Sequence, residues 1–302
     1  MNHFLTINDI SQAQILELIA LGKQLKKDYQ PHSQALAGKS IVTLFEKPSL
    51  RTRVSFDIGI NKLGGHSLYL DQQNGALGER ESVKDFALNL SRWCDGIVAR
   101  VFSHRSLEQL AEYATVPVVN SLSDLYHPCQ GMADFMTLSE HHHDLSKVAL
   151  GYVGDGNNVT HSLMIAAAKL GAKMVVVCPP GCFPDGAVVQ QCQQLAKQHG
   201  GELLLSNEVS ALEGVDCLYA DTWVSMGDDT PLAQVKQKFM PYQINQQLLD
   251  QTGATSVLHC QPAHREYEIS SEVMDGPQSL IFDQAENRMH IQNAILLTLL
   301  KD

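Results

Sequence analysis

The sequence predicts an α/β protein of two domains, each built on a parallel β-sheet wrapped by helices. Three observations carry that expectation. Short apolar runs alternate with stretches of helical periodicity along the chain, the pattern of strand, crossover helix and parallel strand. A polar break, Glu140-His-His-His-Asp144, interrupts the alternation, and the pattern restarts after it. The length of 302 residues accommodates two cores at about 100 to 200 residues per domain.

The elements follow in order. Ser11 with Gln14 makes a capping box ahead of Ile15, Leu18, Ile19, Gly22 and Leu25, so a first helix is expected there with one apolar face turned inward. Residues 41–45, 66–70, 96–102 and 116–120 read as strands, and helical patterns around 53–63, 83–93 and 107–114 separate them. Beyond the break, strands are expected at 148–153, 174–178, 202–205, 217–220 and 257–260. Helices are expected over 162–170 and 187–199, with a last amphipathic one from about 287 to 300.

Composition narrows the function. The chain is 44% hydrophobic and 18% charged, which fits neither a disordered tail nor a membrane bundle. Lys and Arg number 22 against 33 Asp and Glu, a net charge of -11 that repels a phosphate backbone unless basic residues gather in one place. Nucleic acid is not an expected partner. The seven cysteines are odd in number, scattered, and contain no C-x-x-C pair of a zinc site. The N-terminus has neither the basic start nor the apolar core of a signal peptide, and no apolar run reaches the roughly 18 residues of a membrane span. A full-length cytoplasmic protein is expected. His141-His142-His143 reads as a solvated loop, since adjacent histidines point in different directions and bring no carboxylate or thiol partner.

The densest cationic feature is Phe45-Glu-Lys-Pro-Ser-Leu-Arg-Thr-Arg53, at the junction of the first strand and the next helix. That junction lies at the carboxyl edge of a parallel sheet, where ligands bind. Helix-start N–H groups, the hydroxyls of Ser49 and Thr52, and the guanidiniums of Arg51 and Arg53 suit a phosphate. The plainer reading is a solvated basic turn with a capping serine. Arg100 and His127-Pro-Cys-Gln130 also follow strands, so one ligand could touch all three places. In the second half, Gly154-Asp-Gly-Asn-Asn158 resembles the start of a dinucleotide fingerprint, but Val159 stands at its third glycine and Cys178-Pro-Pro-Gly181 where a ribose-binding acid belongs. Asn157 and Asn158 suit an amino acid instead. Asp221-Thr-Trp-Val-Ser-Met-Gly227 puts an acid, fit for an ammonium group, at a strand end. His259-Cys-Gln-Pro262 ends the last strand, where Cys260 is either a functional thiol or a small buried apolar residue.

Taken in order, these islands resemble the transcarbamylase family, and within it the branch that carbamoylates ornithine. Ala99-Arg100 and Ala285-Glu-Asn-Arg288 complete the resemblance, which spans nearly the whole chain. It implies a carbamoyl-phosphate domain over 1–140 joined by the C-terminal helix 287–302, and an ornithine domain over 147–286. It further implies a homotrimer with active sites at subunit interfaces, no cofactor and no metal. Ser49, Arg51, Thr52 and the Leu50 backbone would hold phosphate. Arg100, His127, Gln130 and Arg288 would hold the carbamoyl end. Asn158, Asp221, Ser225 and Met226 would bind the amino acid, with Cys260 beside the reacting amine, and Cys260 and the Gln261 carbonyl would also contact carbamoyl phosphate. Leu50 and Gln261 stand where the family commonly has threonine and leucine. A loop from a neighbouring subunit, near Gln73 to Glu81, would complete the phosphate site, with Ala76 where many relatives carry glutamine or histidine.

The implied reaction is attack by the side-chain amine of ornithine on the carbonyl of carbamoyl phosphate, giving citrulline and phosphate. The alternatives are a transcarbamylase for aspartate or an acylated ornithine, a non-catalytic binding relative, or a nicotinamide oxidoreductase.

Overall fold

The structure, a computed structural model, describes residues 1–71, 76–223 and 230–300. Its contacts divide the chain into two units, Met1–Met136 with Asn287–Asp302, and Thr137–Glu286.

In the first unit α1 (Gln12–Lys27) begins at the expected capping box: Ser11 Oγ accepts the Gln14 N–H at 3.2 Å and Gln14 Oε1 accepts the Ser11 N–H at 2.8 Å. It buries Ile15, Leu18, Ile19, Gly22 and Leu25, the positions its spacing selects. Each such aliphatic side chain contributes roughly 1.5 to 3 kcal/mol. At Gly22 a Cβ would lie 2.9 Å from Met136 Sδ, so the glycine packs directly against that side chain. There follow β1 (Ser40–Phe45), α2 (Leu50–Lys62), β2 (His66–Leu70), α3 (Val83–Leu90), β3 (Gly96–Arg100), α4 (His104–Tyr113), β4 (Val118–Leu122) and α5 (Pro128–His141). The strands are parallel in the order β2-β1-β3-β4. Central β1 and β3 are almost wholly buried, whereas edge strand β2 is largely half-exposed, as sheet position dictates. β3 stops at Arg100, shorter than expected, because Phe102 leaves the ladder and donates its N–H to Glu46 Oε2 at 2.6 Å.

The second unit carries β5 (Ala149–Val153), α6 (Asn158–Leu170), β6 (Lys173–Val177), α7 (Gly186–His199), β7 (Glu202–Ser206), β8 (Cys217–Ala220), α8 (Leu232–Phe239), α9 (Gln246–Thr252), β9 (Ser256–His259) and α10 (Ser271–Met274). Its parallel order is β7-β6-β5-β8-β9. The core gathers Val153, Val175, Val177, Leu218, Val257 and Ile281. The last helix, α11 (Ile281–Leu300), belongs to the first unit from Asn287 onward.

Both sheets reverse their strand order at one place, between β1 and β3 and between β5 and β8. A ligand crevice forms outside the carboxyl ends of the strands at such a switch point. The first switch point carries Glu46–Thr52 and Arg100; the second carries Gly154–Asn158 and Asp221.

Candidate active site

At the first switch point, Ser49 occupies the N-cap of α2 but does not cap it. Its hydroxyl donates to Thr52 Oγ1 at 2.8 Å instead of accepting from the first backbone N–H groups. The Ser49 side chain therefore takes up none of the first N–H groups of α2, whose positive end suits an anion. Arg288, from α11, donates Nη2–H to Thr52 Oγ1 and Nη1–H to Gln130 Oε1, the latter at 3.2 Å. A threonine oxygen that accepts twice has its own proton left to give. His127 precedes α5, whose first residue is Pro128, a helix-start arrangement that leaves the imidazole buried.

Thr52, Arg100, His127, Gln130 and Arg288 are between 1% and 6% exposed. Burial, then the neighbouring Arg288, lowers the Arg100 guanidinium to about 10. Burial and the fields of Arg288 and Arg100 hold His127 well below its ordinary range, so it is a neutral hydrogen-bonding group at physiological pH. Leu50 is 75% exposed and offers only its backbone, and Arg51 is exposed beside it. Arg53 does not join the cluster: its guanidinium lies 3.7 Å over the Tyr69 ring and 3.5 Å from Asp57.

At the second switch point Asp221, 8% exposed, gathers three donors. Its Oδ1 accepts Cys260 Sγ–H at 2.9 Å and the Thr222 N–H at 2.8 Å, and its Oδ2 accepts Asn157 Nδ2–H at 2.8 Å. Asn157, not Asn158, makes this contact, because Asn157 is the N-cap of α6 and its Oδ1 takes the N–H groups of Val159 and Thr160. Asn158 is the first residue of that helix and is half-buried. Gly156 is needed by the protein itself: a Cβ would lie 2.2 Å from the Pro184 backbone nitrogen. Ser225 and Met226 lie outside the described residues, as do Gln73 to Gly75 of the expected neighbouring loop. Ala76 directs its N–H to Glu79 Oε2 at 3.1 Å.

Of the two asparagines the sequence offers, N-cap preference alone favours Asn157. The pairing of His259 with Glu268 gave no such signal. His259 Nδ1 accepts the Gln261 N–H at 3.0 Å, so Nε2 carries the ring proton, directed at Glu268 Oε1 3.2 Å away. Both side chains are at most 1% exposed. The pair clamps the turn bearing Cys260 and holds Gln261 at a φ of 61°, a conformation a non-glycine residue keeps only when its surroundings impose it. Among the described residues no group of three or more His, Cys, Asp or Glu side chains is placed to hold a metal ion, and no helix is long and apolar enough to cross a membrane.

Buried neutral histidines predict an acid limb of stability. His127, His104 and His3 all titrate below the ordinary 6.5 when folded, chiefly through burial. In the window just below 6.5 the unfolded chain binds more protons than the folded one, so stability falls as pH falls through it. The melting temperature is expected to be lower at about pH 5.5 than at about pH 7.5, and His127→Asn should flatten that slope in calorimetry.

The chain is similar to known proteins over its whole length. Residues 2–140 match the carbamoyl-P binding domain of aspartate/ornithine carbamoyltransferase, and residues 146–299 match the Asp/Orn binding domain. The ornithine carbamoyltransferase of Vibrio sp. (strain 2693) is 65% identical over 301 residues, covering 100% of both chains. That of Shewanella oneidensis is 62% identical, covering 99% of each. Among solved structures, ornithine carbamoyltransferase from Pyrococcus furiosus superposes with a TM-score of 0.94 at 42% identity, covering 99% of this chain and 97% of that one. The Thermus thermophilus enzyme gives 0.89 at 40%, covering 100% and 99%.

Proposed function

Since the chain belongs to the aspartate/ornithine carbamoyltransferase family, we propose that it transfers the carbamoyl group of carbamoyl phosphate to the side-chain amine of L-ornithine, releasing citrulline and phosphate. The observation that carries this reading is Arg100: a guanidinium 3% exposed, beside a second arginine, whose Nε has no hydrogen-bond partner among the described residues. A dianion supplies the charge that such a group lacks.

In this reading Ser49, Arg51, Thr52 and the Leu50 N–H hold the phosphate. Arg100, His127, Gln130 and Arg288 hold the carbamoyl end. Negative charge grows on the carbonyl oxygen and on the departing phosphate, and donors already in place stabilise it without reorganising. Neutral His127 donates a hydrogen bond rather than a proton, and the Thr52 hydroxyl likewise donates a hydrogen bond to phosphate.

Asn158, Asp221, Ser225 and Met226 bind ornithine, Cys260 lies beside the reacting amine, and Cys260 and the Gln261 carbonyl also contact carbamoyl phosphate. That amine must be neutral to attack, which at pH 7 costs roughly 4 to 5 kcal/mol for a lysine-like pKa. Asp221 attracts it as the cation and orients it once the proton has left. The same carboxylate speaks against aspartate as acceptor, since it would repel a second carboxylate.

The test is direct. Carbamoyl phosphate is supplied with ornithine, acetylornithine or aspartate in parallel, and carbamoylated product and phosphate are measured. Product from ornithine alone is expected. Product from either rival redirects the assignment, and none from any of them favours a binding protein.

We place the enzyme in the cytoplasm, in arginine metabolism, as a homotrimer with its active sites at subunit interfaces. Support for assembly comes from Leu50, Val54 and Ile58, spaced four apart on α2 and 75%, 42% and 47% exposed, with Leu68 of edge strand β2 also 49% exposed. A stripe of this kind signals a contact surface. Val54→Asp with Ile58→Asp is expected to convert three-chain particles to single chains in sedimentation.

A further inference from the structure

We propose that Asp134 is a positioning residue: it determines which way round the Gln130 carboxamide lies and, through it, where the Arg288 guanidinium is held. The inference rests on the carbamoyl-transfer reading above. Asp134 is fully buried one turn beyond Gln130 on α5, and its Oδ1 accepts Gln130 Nε2–H at 2.8 Å. The other end of the same carboxamide, Oε1, accepts Arg288 Nη1–H at 3.2 Å.

The chemistry of the three groups allows one arrangement. An ionised carboxylate only accepts and a guanidinium only donates, while a carboxamide does one at each end. Placed between them, Gln130 satisfies both neighbours in a single orientation. Reversed, its NH2 would meet the guanidinium donor to donor, and its oxygen would meet the carboxylate. The Gln130 Nε2–H bond to Asp134 polarises the amide so that Oε1 becomes a better acceptor for the Arg288 guanidinium, and such linked bonds strengthen one another. Arg288 is the residue whose field acts on Arg100 and His127 and whose Nη2 binds Thr52. An error at Gln130 therefore reaches the groups that hold the carbamoyl end.

Without the Asp134 carboxylate the Gln130 Nε2–H loses its acceptor, and the Arg288 contact alone is left to orient the amide. Asp134→Ala is expected to lower kcat/KM for carbamoyl phosphate by tenfold to about a hundredfold, the range for losing one hydrogen bond to a charged group, with the KM for ornithine unchanged. Asp134→Asn keeps an oxygen that accepts the Gln130 Nε2–H and should hold activity to within about threefold of wild type. A structural defect would instead raise the KM for ornithine as well. Where Asp134→Ala fails to fold, Asp134→Leu carries the test: it fills the space without offering an acceptor and should show the same loss.

Full activity of Asp134→Ala, or an Asp134→Asn variant as impaired as Asp134→Ala, overturns the proposal. All variants are assayed against a wild type first tested for citrulline formation from carbamoyl phosphate and L-ornithine. Failure of the functional reading then appears in the wild type, and failure of this one only in the variants.

Discussion

Arg100→Met is expected to slow carbamoyl transfer by two to three orders of magnitude while making the substrate-free protein more stable. The first effect is that of removing one prepositioned donor from a developing oxyanion, about a hundredfold to a thousandfold. The second follows from where the guanidinium sits. It ends strand β3, is 3% exposed, and is lowered from its ordinary range to about 10 by burial and by Arg288. That shift corresponds to on the order of 3 kcal/mol by which the fold disfavours the charged form. Methionine fills much of the same space without a charge, so part of that penalty is relieved, and breaking no partnered ion pair leaves nothing stranded. Calorimetry should show a higher melting temperature for the variant alone. With carbamoyl phosphate the order should reverse, since a ligand at a hundred times its Kd stabilises the wild type by about 2.7 kcal/mol and stabilises the variant far less. A variant of lower intrinsic stability, or one that retains its turnover, would show that Arg100 serves the fold and not the anion.

The same contrast, between what a residue does for the fold and what it does for a ligand, governs how far the sequence could be read. Residues 41–45 and 148–153 read as strands because central strands of a parallel sheet are buried on both faces and need continuous apolar runs. α5 left no such mark. From Cys129 to Met136 it is buried all round, so it has no polar face to set a helical period, and the sequence shows His127-Pro-Cys-Gln130 without the helix that presents it. The phosphate turn was legible because charge is conspicuous, but charge alone could not tell Arg51 from Arg53, whose guanidinium is taken up by Tyr69 and Asp57. The incomplete dinucleotide fingerprint is explained by packing, since Gly156 makes room for Pro184. His259 and Glu268 are nine residues apart across a turn, and their pairing depends on a backbone path that no periodicity announces.

Asp221→Asn is the second substitution expected to act strongly, and its consequences can be separated. The carboxylate accepts from three donors, Asn157 Nδ2, Cys260 Sγ and the Thr222 N–H. Asparagine has one acceptor end and one donor end, so either way round its NH2 meets another donor. Asn157 cannot turn to help, because its own oxygen caps α6, and the Thr222 amide is backbone. One buried donor left unsatisfied costs about 1 to 3 kcal/mol, and the melting temperature should fall accordingly. Turnover should fall further, by about a thousandfold, because the charge that attracts and orients the ornithine amine is gone. Asn157→Asp added to Asp221→Asn repairs only the first defect. Aspartate caps helices as well as asparagine does, and the exchanged pair makes the same hydrogen bond with donor and acceptor swapped. The charge now sits at the start of α6 and not beside Cys260. Stability is expected to return while turnover does not. If turnover returned with it, Asp221 would act by holding its loop together, and the assignment of its carboxylate to the ornithine amine would have to be abandoned.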